Sequence, residues 1–162
     1  MKKLLDRSVY MVEIDVPAYY LNPMASIKEC LEQLINIQKE KVDTVSWEVD
    51  DLDFKINSLW RDGEEEEAEG LEEELSVLKY NLEDEENILS NYERIKDQLL
   101  SSPFTVVDFT KEVLDDNNYG LLEPNLFGEE VRVVYMKRVS IETSRIIPSP
   151  IIKQIEEMLL SK

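Results

Sequence analysis

Apolar residues between positions 31 and 99 recur in steps that alternate between four and three residues. The first series holds Leu31, Ile35, Val42, Val45, Val49, Leu52, Ile56 and Leu59. The second series holds Leu71, Leu75, Leu78, Leu82, Leu89, Tyr92 and Leu99. A mean spacing of about 3.5 residues is typical of helices that pack along one apolar seam. Three polar residues interrupt the seam: Gln38, Glu85 and Lys96.

The two series mirror each other across Gly63. Their paired residue numbers sum to 127, as for Ile56 with Leu71 and for Val45 with Leu82. A chain that folds back on itself produces this relation, so the pattern predicts an antiparallel coiled-coil hairpin over residues 24–101 with its turn at 62–64. Each arm of roughly 38 residues would then be about 57 Å long, at 1.5 Å per residue.

The sequence before the hairpin predicts a strand and a helix start. Alternating apolar residues in the segment 8–16 indicate a half-buried β-strand that ends at Pro17. Ser26, with Glu29 three residues later, fits a capping box that would begin the first long helix near residues 24–26.

The sequence after the hairpin is mixed. Residues 104–107 predict a short strand followed by a helical turn at 108–114, residues 115–120 a turn, and residues 131–141 one strand or two. Ser149 is the predicted N-cap of a C-terminal helix, with Pro150 at its first position. Four basic residues gather around the last strands: Arg132, Lys137, Arg138 and Arg145. We expect them to pair with acids at the root of the hairpin; the alternative is that they form a small contact site.

These elements together predict an α+β fold that is predominantly α. A small mixed head domain from residues 1–23 and 102–162 would carry the inserted long antiparallel coiled-coil hairpin of residues 24–101. The segments outside the hairpin total about 85 residues, which is near the lower size range for an independent core.

Charge narrows the classes of partner. The net charge is -18, and residues 62–101 hold fifteen acidic residues against three basic ones. Such a surface repels nucleic acid and anionic membranes, so we expect neither as a direct partner. It favours a basic protein surface, including one that binds nucleic acid. The alternative is that the charge only keeps an elongated protein in solution.

The chain has a single cysteine, Cys30, and no histidine. The protein therefore cannot form an internal disulfide, and it lacks the commonest metal ligand and general base. No segment resembles a signal peptide or a membrane span. We predict a cytoplasmic protein that is not an enzyme, with no cofactor and no metal site.

One pattern resembles an enzyme family. Glu29-x-x-Glu32 followed by Glu48-x-x-Asp51 resembles the metal-binding pattern of all-α NTP pyrophosphatases of the MazG type. That resemblance implies Mg²⁺-dependent nucleotide hydrolysis by carboxylates on two helices. Here the seam runs unbroken through both halves, and 19 residues of one straight helix would separate them by about 28 Å. We therefore keep this function as the weakest alternative.

Exposed aromatic residues and the acidic tip are the candidate contact residues. Trp47 and Phe54 lie seven residues apart on the predicted solvent face, and residues 62–74 hold nine carboxylates. The predicted partner-binding residues are Trp47, Phe54, Trp60, Asp62, Glu64, Glu65, Glu66, Glu67, Glu69, Glu72, Glu73 and Glu74. Two main hypotheses follow: an acidic inhibitor that mimics nucleic acid, as in phage anti-defence proteins, or a scaffold that buries its aromatic residues in a homo-oligomer.

Overall fold

The computed structural model describes residues 9–113, 121–124 and 130–161, and it describes side chains in these ranges except at 113, 121–124 and 130–132. Within these ranges the fold is predominantly helical, with three helices and one antiparallel sheet. The elements are β1 Tyr10–Pro17, α1 Pro23–Arg61, α2 Glu65–Ser101, β2 Phe104–Val113, β3 Leu121–Pro124, β4 Glu130–Thr143 and α3 Ser149–Leu160.

The chain divides into two compact units. The first unit combines residues 1–31 with residues 95–162, and the second unit is the segment 32–94. Both boundaries between the units fall inside helices. Helix α1 begins in the first unit and ends in the second, and helix α2 begins in the second unit and ends in the first. The division into a head domain and a hairpin with bounds at 24 and 101 stays a prediction.

Helix α1 begins earlier than the capping box predicts. The N–H of Ala25 donates to Oδ1 of Asn22 at 3.1 Å, so Asn22 caps the helix and Pro23 is its first residue. Ser26 is therefore not the cap. Its hydroxyl donates to the backbone carbonyl of Asn22 at 3.3 Å from inside the first turn.

The break between α1 and α2 lies at residues 62–64, where the sequence predicts it. Gly63 has a φ of +79°, a left-handed conformation that glycine adopts without a steric penalty. The N–H of Glu64 donates to the carbonyl of Leu59 at 2.9 Å, and that of Gly63 to the carbonyl of Trp60 at 3.3 Å. These bonds satisfy carbonyls that the end of α1 would otherwise leave unpaired.

The sheet has the order β1-β4-β2, and β3 pairs with the start of β4. Val133 of β4 pairs with both Glu112 of β2 and Leu121 of β3. Since a strand has two edges, β3 must pair with the edge of β4 that faces away from β2. Strand β1 pairs with that same edge, further along β4. Every pairing is antiparallel.

The strand predictions have mixed outcomes. Strand β1 is confirmed, with Val12, Ile14 and Val16 buried. The predicted helical turn is wrong over residues 108–113, because β2 continues to Val113; residue 114 and the turn predicted at 115–120 lie outside the described residues. Strand β4 is one continuous element. Ser149 is the first residue of α3 rather than its cap, and no side chain caps that helix.

The first unit has its core on one face of the sheet. Ile14 pairs with Val139, and both are fully buried. Helix α3 turns its own apolar row inward, with Ile155 and Leu159 fully buried. Tyr20 joins the chain after β1 to the end of α3, because its hydroxyl donates to the carbonyl of Leu159 at 2.8 Å.

The second unit has a separate apolar core between α1 and α2. Its buried members are Val49, Ile56, Ala68 and Leu75. Partly buried seam residues pack around them: Val45, Leu52, Leu59, Leu71, Leu78 and Leu82. This core thus draws its residues from both apolar series of the sequence. Among the described residues, no helix combines the length and the apolar content needed to cross a membrane.

Candidate protein-binding face of the second unit

Two large aromatic side chains of α1 are exposed to solvent. Trp47 is 72% exposed and Phe54 is 70% exposed. Each lies two residues from a seam position, a rotation of about 200° at 100° per residue. The seam residues Val49 and Leu52 face α2, so the same helix that buries them turns Trp47 and Phe54 away from α2. Exposed aromatic pairs of this kind are typical of contact surfaces.

An open groove lies between α1 and α2 next to these aromatic residues. It has a volume of about 550 Å³. The residues that line it are Glu48, Asp51, Leu52 and Lys55 of α1 and Glu74, Val77 and Leu78 of α2. We call this set the interhelical groove. Its floor is apolar, and its rim carries three carboxylates and one ammonium group.

Asp51 connects the aromatic side chains to the groove. Residues three and four positions apart are neighbours on a helix surface. Asp51 therefore has Trp47 and Phe54 as neighbours on one flank and Glu48 and Lys55 on the other. The aromatic residues and the groove form one continuous surface on α1, with a carboxylate at its centre.

The groove extends onto α2 through residues that the sequence reasoning passed over. Val77 is 60% exposed, and Tyr80, three residues later, is 66% exposed. Both are off the apolar seam, in the segment 75–82, which has one lysine and no acidic residue. A large apolar residue away from the seam is the signal that would have identified Val77. The rim residues Glu48 and Asp51 carried no such signal, because acidic residues also occur at the other exposed positions of α1.

Trp60 belongs to a different part of the second unit. It is 37% exposed, and its Nε1 donates to Oε1 of Glu72 at 3.3 Å. Six residues separate it from Phe54, which turns it by about 120° around the helix. The structure therefore does not bring Trp60 together with Trp47 and Phe54, although the sequence grouped the three as one contact set.

The nine carboxylates of residues 62–74 are all exposed, but they have different surroundings. Glu65, Glu66 and Glu67 form the first turn of α2, where negative charge stabilises the positive end of the helix dipole. Glu72 accepts the bond from Trp60, and Glu74 lines the groove. Only Glu74 of this acidic set therefore lies beside the apolar surface.

The carboxylates of the hydrolase-like pattern lie on a single element. Glu29, Glu32, Glu48 and Asp51 are all part of α1, which runs unbroken from Pro23 to Arg61. A shared metal site in this family's pattern needs carboxylates that converge from two helices. Helix α1 does not provide that arrangement.

The first unit places a charged cluster on the exposed face of its sheet. Arg138 forms an ion pair with Asp15, with Nε to Oδ1 at 2.9 Å, and lies 3.9 Å from a carboxylate oxygen of Glu13. Its guanidinium group stacks over Phe109 at 4.6 Å from the ring centre. Lys137 donates to the carbonyl of Tyr20 at 3.1 Å. The expectation that these two cations pair with acids of the hairpin is wrong, because their partners lie in β1 and the segment that follows it.

The same cluster includes a partly buried carboxylate of α3. The backbone N–H of Asp15 donates to Oε2 of Glu156 at 2.8 Å, which caps a free donor of the outer strand β1. Burial raises the pKa of the Glu156 carboxyl, and the bond from Asp15 only partly offsets that effect. This cluster stabilises the sheet edge and does not resemble a catalytic arrangement.

The sequence matches no protein-family model, and neither a curated protein nor a solved structure shows significant similarity to it.

Proposed function

We propose that this protein is a non-enzymatic acidic binding protein that occupies a basic surface of a partner protein, of the kind that binds nucleic acid. The observation that carries the proposal is the exposure of Trp47 and Phe54 around Asp51, on the helix pair that holds most of the negative charge. The proposal includes coiled-coil packing of α1 on α2, which is supported by the apolar cluster that residues of both helices form.

Charge and aromatic residues have separate roles in this function. A negative surface attracts a basic partner over a long range and raises the rate of association. Buried aromatic residues supply most of the binding free energy, at about 2 kcal/mol or more for each true hot spot. An acidic surface without such contacts would bind any polycation weakly, so Trp47 and Phe54 provide the selectivity.

The charge density of the tip supports mimicry of nucleic acid. Seven of the nine carboxylates lie within residues 65–74 of α2, which span roughly 15 Å of helix, close to one charge per 2 Å. Duplex DNA has one charge per about 1.7 Å of its axis. In this proposal the protein acts in the cytoplasm by excluding nucleic acid from its partner, in the manner of phage anti-defence inhibitors.

A homo-oligomeric scaffold is the second candidate, and the same exposed aromatic residues favour it. Two copies that pack through Trp47 and Phe54 would bury this apolar surface without any other partner. Because that contact is apolar, the oligomer would persist at high salt. The acidic binding protein would instead be a monomer whose association with its partner weakens steeply with salt.

The test is affinity capture from a host lysate at about 50 and about 500 mM NaCl, conditions whose Debye lengths differ roughly threefold, followed by purification of the captured protein. We expect a basic nucleic-acid-binding protein that is retained at low salt only and loses its nucleic acid when the acidic protein is added. The double variant Trp47→Ser/Phe54→Ser should lose capture while it remains folded. A salt-resistant oligomer of the purified protein, with no inhibition of nucleic-acid binding by any captured protein, would overturn the proposal.

A further inference from the structure

We infer that the interhelical groove receives a basic amphipathic helix from the partner, with its apolar stripe on Leu52, Val77 and Leu78 and its cations on the rim. This inference rests on the proposed function, and it specifies the secondary structure and the chemistry of the bound segment.

The shape of the groove fits a third helix. Two helices that pack side by side leave a furrow along their line of contact, and a third helix packs there by placing its side-chain ridges into it. The lining residues of α1 run from Glu48 to Lys55 and those of α2 from Glu74 to Leu78. The first span is about 10 Å, or two helical turns. A bound helix would therefore contribute anchors at positions i, i+3 or i+4, and i+7.

The floor of the groove supplies the apolar contact. Val77 is 60% exposed, and Leu52 and Leu78 are half-buried at the edge of the core of the second unit. Since these side chains are already held by α1 and α2, a partner helix would meet a preorganised surface. Binding then costs little ordering of the protein itself.

The rim selects the charge of the bound helix. The groove is lined by the carboxylates of Glu48, Asp51 and Glu74 and by the ammonium group of Lys55, which leaves a net charge of -2 on the lining residues. In the described part of the chain, none of these three carboxylates forms an ion pair within 4.0 Å. A helix with lysine or arginine beside its apolar stripe would pair with them, whereas an acidic helix would be repelled.

The aromatic flank extends this selection. Trp47 lies one helical turn before Asp51 and Phe54 lies one turn after it, both on the same flank of α1. A cation that pairs with Asp51 would also contact an aromatic face, and such contacts add about 0.5–2 kcal/mol according to how far water is excluded. An arginine that pairs with Asp51 would gain the most binding free energy, because its planar guanidinium group both stacks on an aromatic ring and forms two hydrogen bonds.

In a second copy of this chain, none of the three described helices is the required basic helix. The described helices all carry a net negative charge: α1 has eight acidic residues against five basic ones, α2 thirteen against three, and α3 two against one. The apolar row of α3 is also buried in the first unit. Since none of the described helices fits, we assign the complementary helix to a different, basic protein.

The test uses two synthetic peptides of roughly 16 residues, about four turns, with identical leucine and lysine composition. One places leucine at helical spacing between lysine flanks, and the other has the same residues in scrambled order. Each is titrated into the full-length protein with methyl-labelled valine and leucine. We expect the amphipathic peptide to bind at least roughly tenfold more tightly than the scramble, with chemical-shift changes at Leu52, Val77 and Leu78.

Matched variants locate the contact. Asp51→Lys reverses one rim charge, and Asp53→Lys makes the same change two residues away, on the far side of α1. We expect Asp51→Lys to weaken the amphipathic peptide by roughly tenfold or more and Asp53→Lys to change its affinity by about twofold or less. Val77→Asn removes an apolar contact at an exposed position without adding charge, and it should lower the affinity without unfolding the protein.

The outcomes separate this inference from the proposed function. If both peptides bind equally and Asp51→Lys and Asp53→Lys weaken them alike, the protein binds basic chains by charge alone, and the groove assignment is overturned while the proposed function stands. If shifts map to residues 62–74 instead of the groove, the assignment is also overturned. If neither peptide binds at low salt, both the inference and the proposed function are contradicted.

Discussion

Gln38 and Glu85 are hydrogen-bonded to each other inside the second unit. Nε2 of Gln38 donates to the backbone carbonyl of Glu85 at 2.9 Å and also to its carboxylate. Gln38 is only 3% exposed. These are two of the three polar residues that interrupt the apolar seam, and their contact gives the buried amide of Gln38 its hydrogen-bond acceptors.

This pair should show strong energetic coupling. We expect a double-mutant cycle with Gln38→Leu and Glu85→Leu to give a coupling free energy of about 1.5 kcal/mol or more, because the bond involves a charged group in a partly buried place. The double variant should be at least as stable as wild type, since leucine at both positions completes the seam. Urea unfolding of the four proteins measures the coupling, and strictly additive effects would contradict it.

Two glycines of the second unit should respond in opposite directions to the same substitution. Gly63→Ala is expected to lower the free energy of unfolding by about 1–2 kcal/mol, because alanine does not tolerate a φ of +79°. Gly70→Ala is expected to raise it by about 0.5–1 kcal/mol, because Gly70 is inside α2 and a Cβ there would meet nothing within 4 Å. Urea unfolding, fitted with one common m-value, measures the free energy of unfolding of each variant. A loss of stability in both variants would contradict the assigned backbone conformations.

Glu156 should make the first unit less stable at neutral pH than at mildly acidic pH. Burial raises the pKa of its carboxyl in the folded protein, so the folded state binds a proton more readily than the unfolded chain. Stability from this group therefore rises as pH falls through the raised pKa towards the ordinary glutamate value of about 4.3, and is constant below it.

The variant Glu156→Gln isolates that effect. Glutamine keeps an acceptor for the N–H of Asp15 and carries no charge, so its melting temperature should exceed that of wild type at pH 7.5 (about three units above the ordinary glutamate pKa). The difference should shrink as the pH is lowered towards that value. A difference that is constant with pH would show that Glu156 titrates normally.

Tyr20 should make the stability of the folded protein depend on pH in the alkaline range. Burial raises the pKa of its hydroxyl to about 12, with a contribution from the neighbouring Tyr19. The folded state thus favours the neutral phenol, and stability is lost as pH rises from the ordinary value of about 10 through the raised one. Tyr20→Phe should remove this dependence and lower stability at pH 8 by about 1 kcal/mol through loss of the bond to Leu159. Thermal melts of both proteins between these pH values measure the difference.

The sequence predicted those elements that bury one face. Seam residues such as Val49 and Leu75, and strand residues such as Ile14, repeat with the period of their element because one side is buried. Strand β2 was missed beyond residue 107 because it lies at the edge of the sheet, where Phe104 is 48% exposed and Val107 is 59% exposed. With neither face fully buried, β2 has no strong period of two.

The candidate site was predictable only in part. Trp47 and Phe54 stood out because large aromatic residues are unexpected opposite a seam. Val77 and Asp51 join the site through the side-by-side placement of α1 and α2, which depends on which flank of the seam is open. Periodicity identifies the seam but does not distinguish its two flanks. Trp60 lies apart from Trp47 and Phe54 because it is six residues from Phe54 on the helix and because its indole N–H is bonded to Glu72.

Because α1 and α2 pass from one compact unit into the other without a break, the chain offers no linker at which the units can be separated. A fragment limited to residues 32–94 would start and finish in the middle of helices, with uncapped backbone groups at both cut ends. Proteases that cleave mobile connections would find no preferred site at this boundary. Dissection of the protein therefore needs longer helical arms or added capping residues, and evolution by exchange of the second unit alone would face the same constraint.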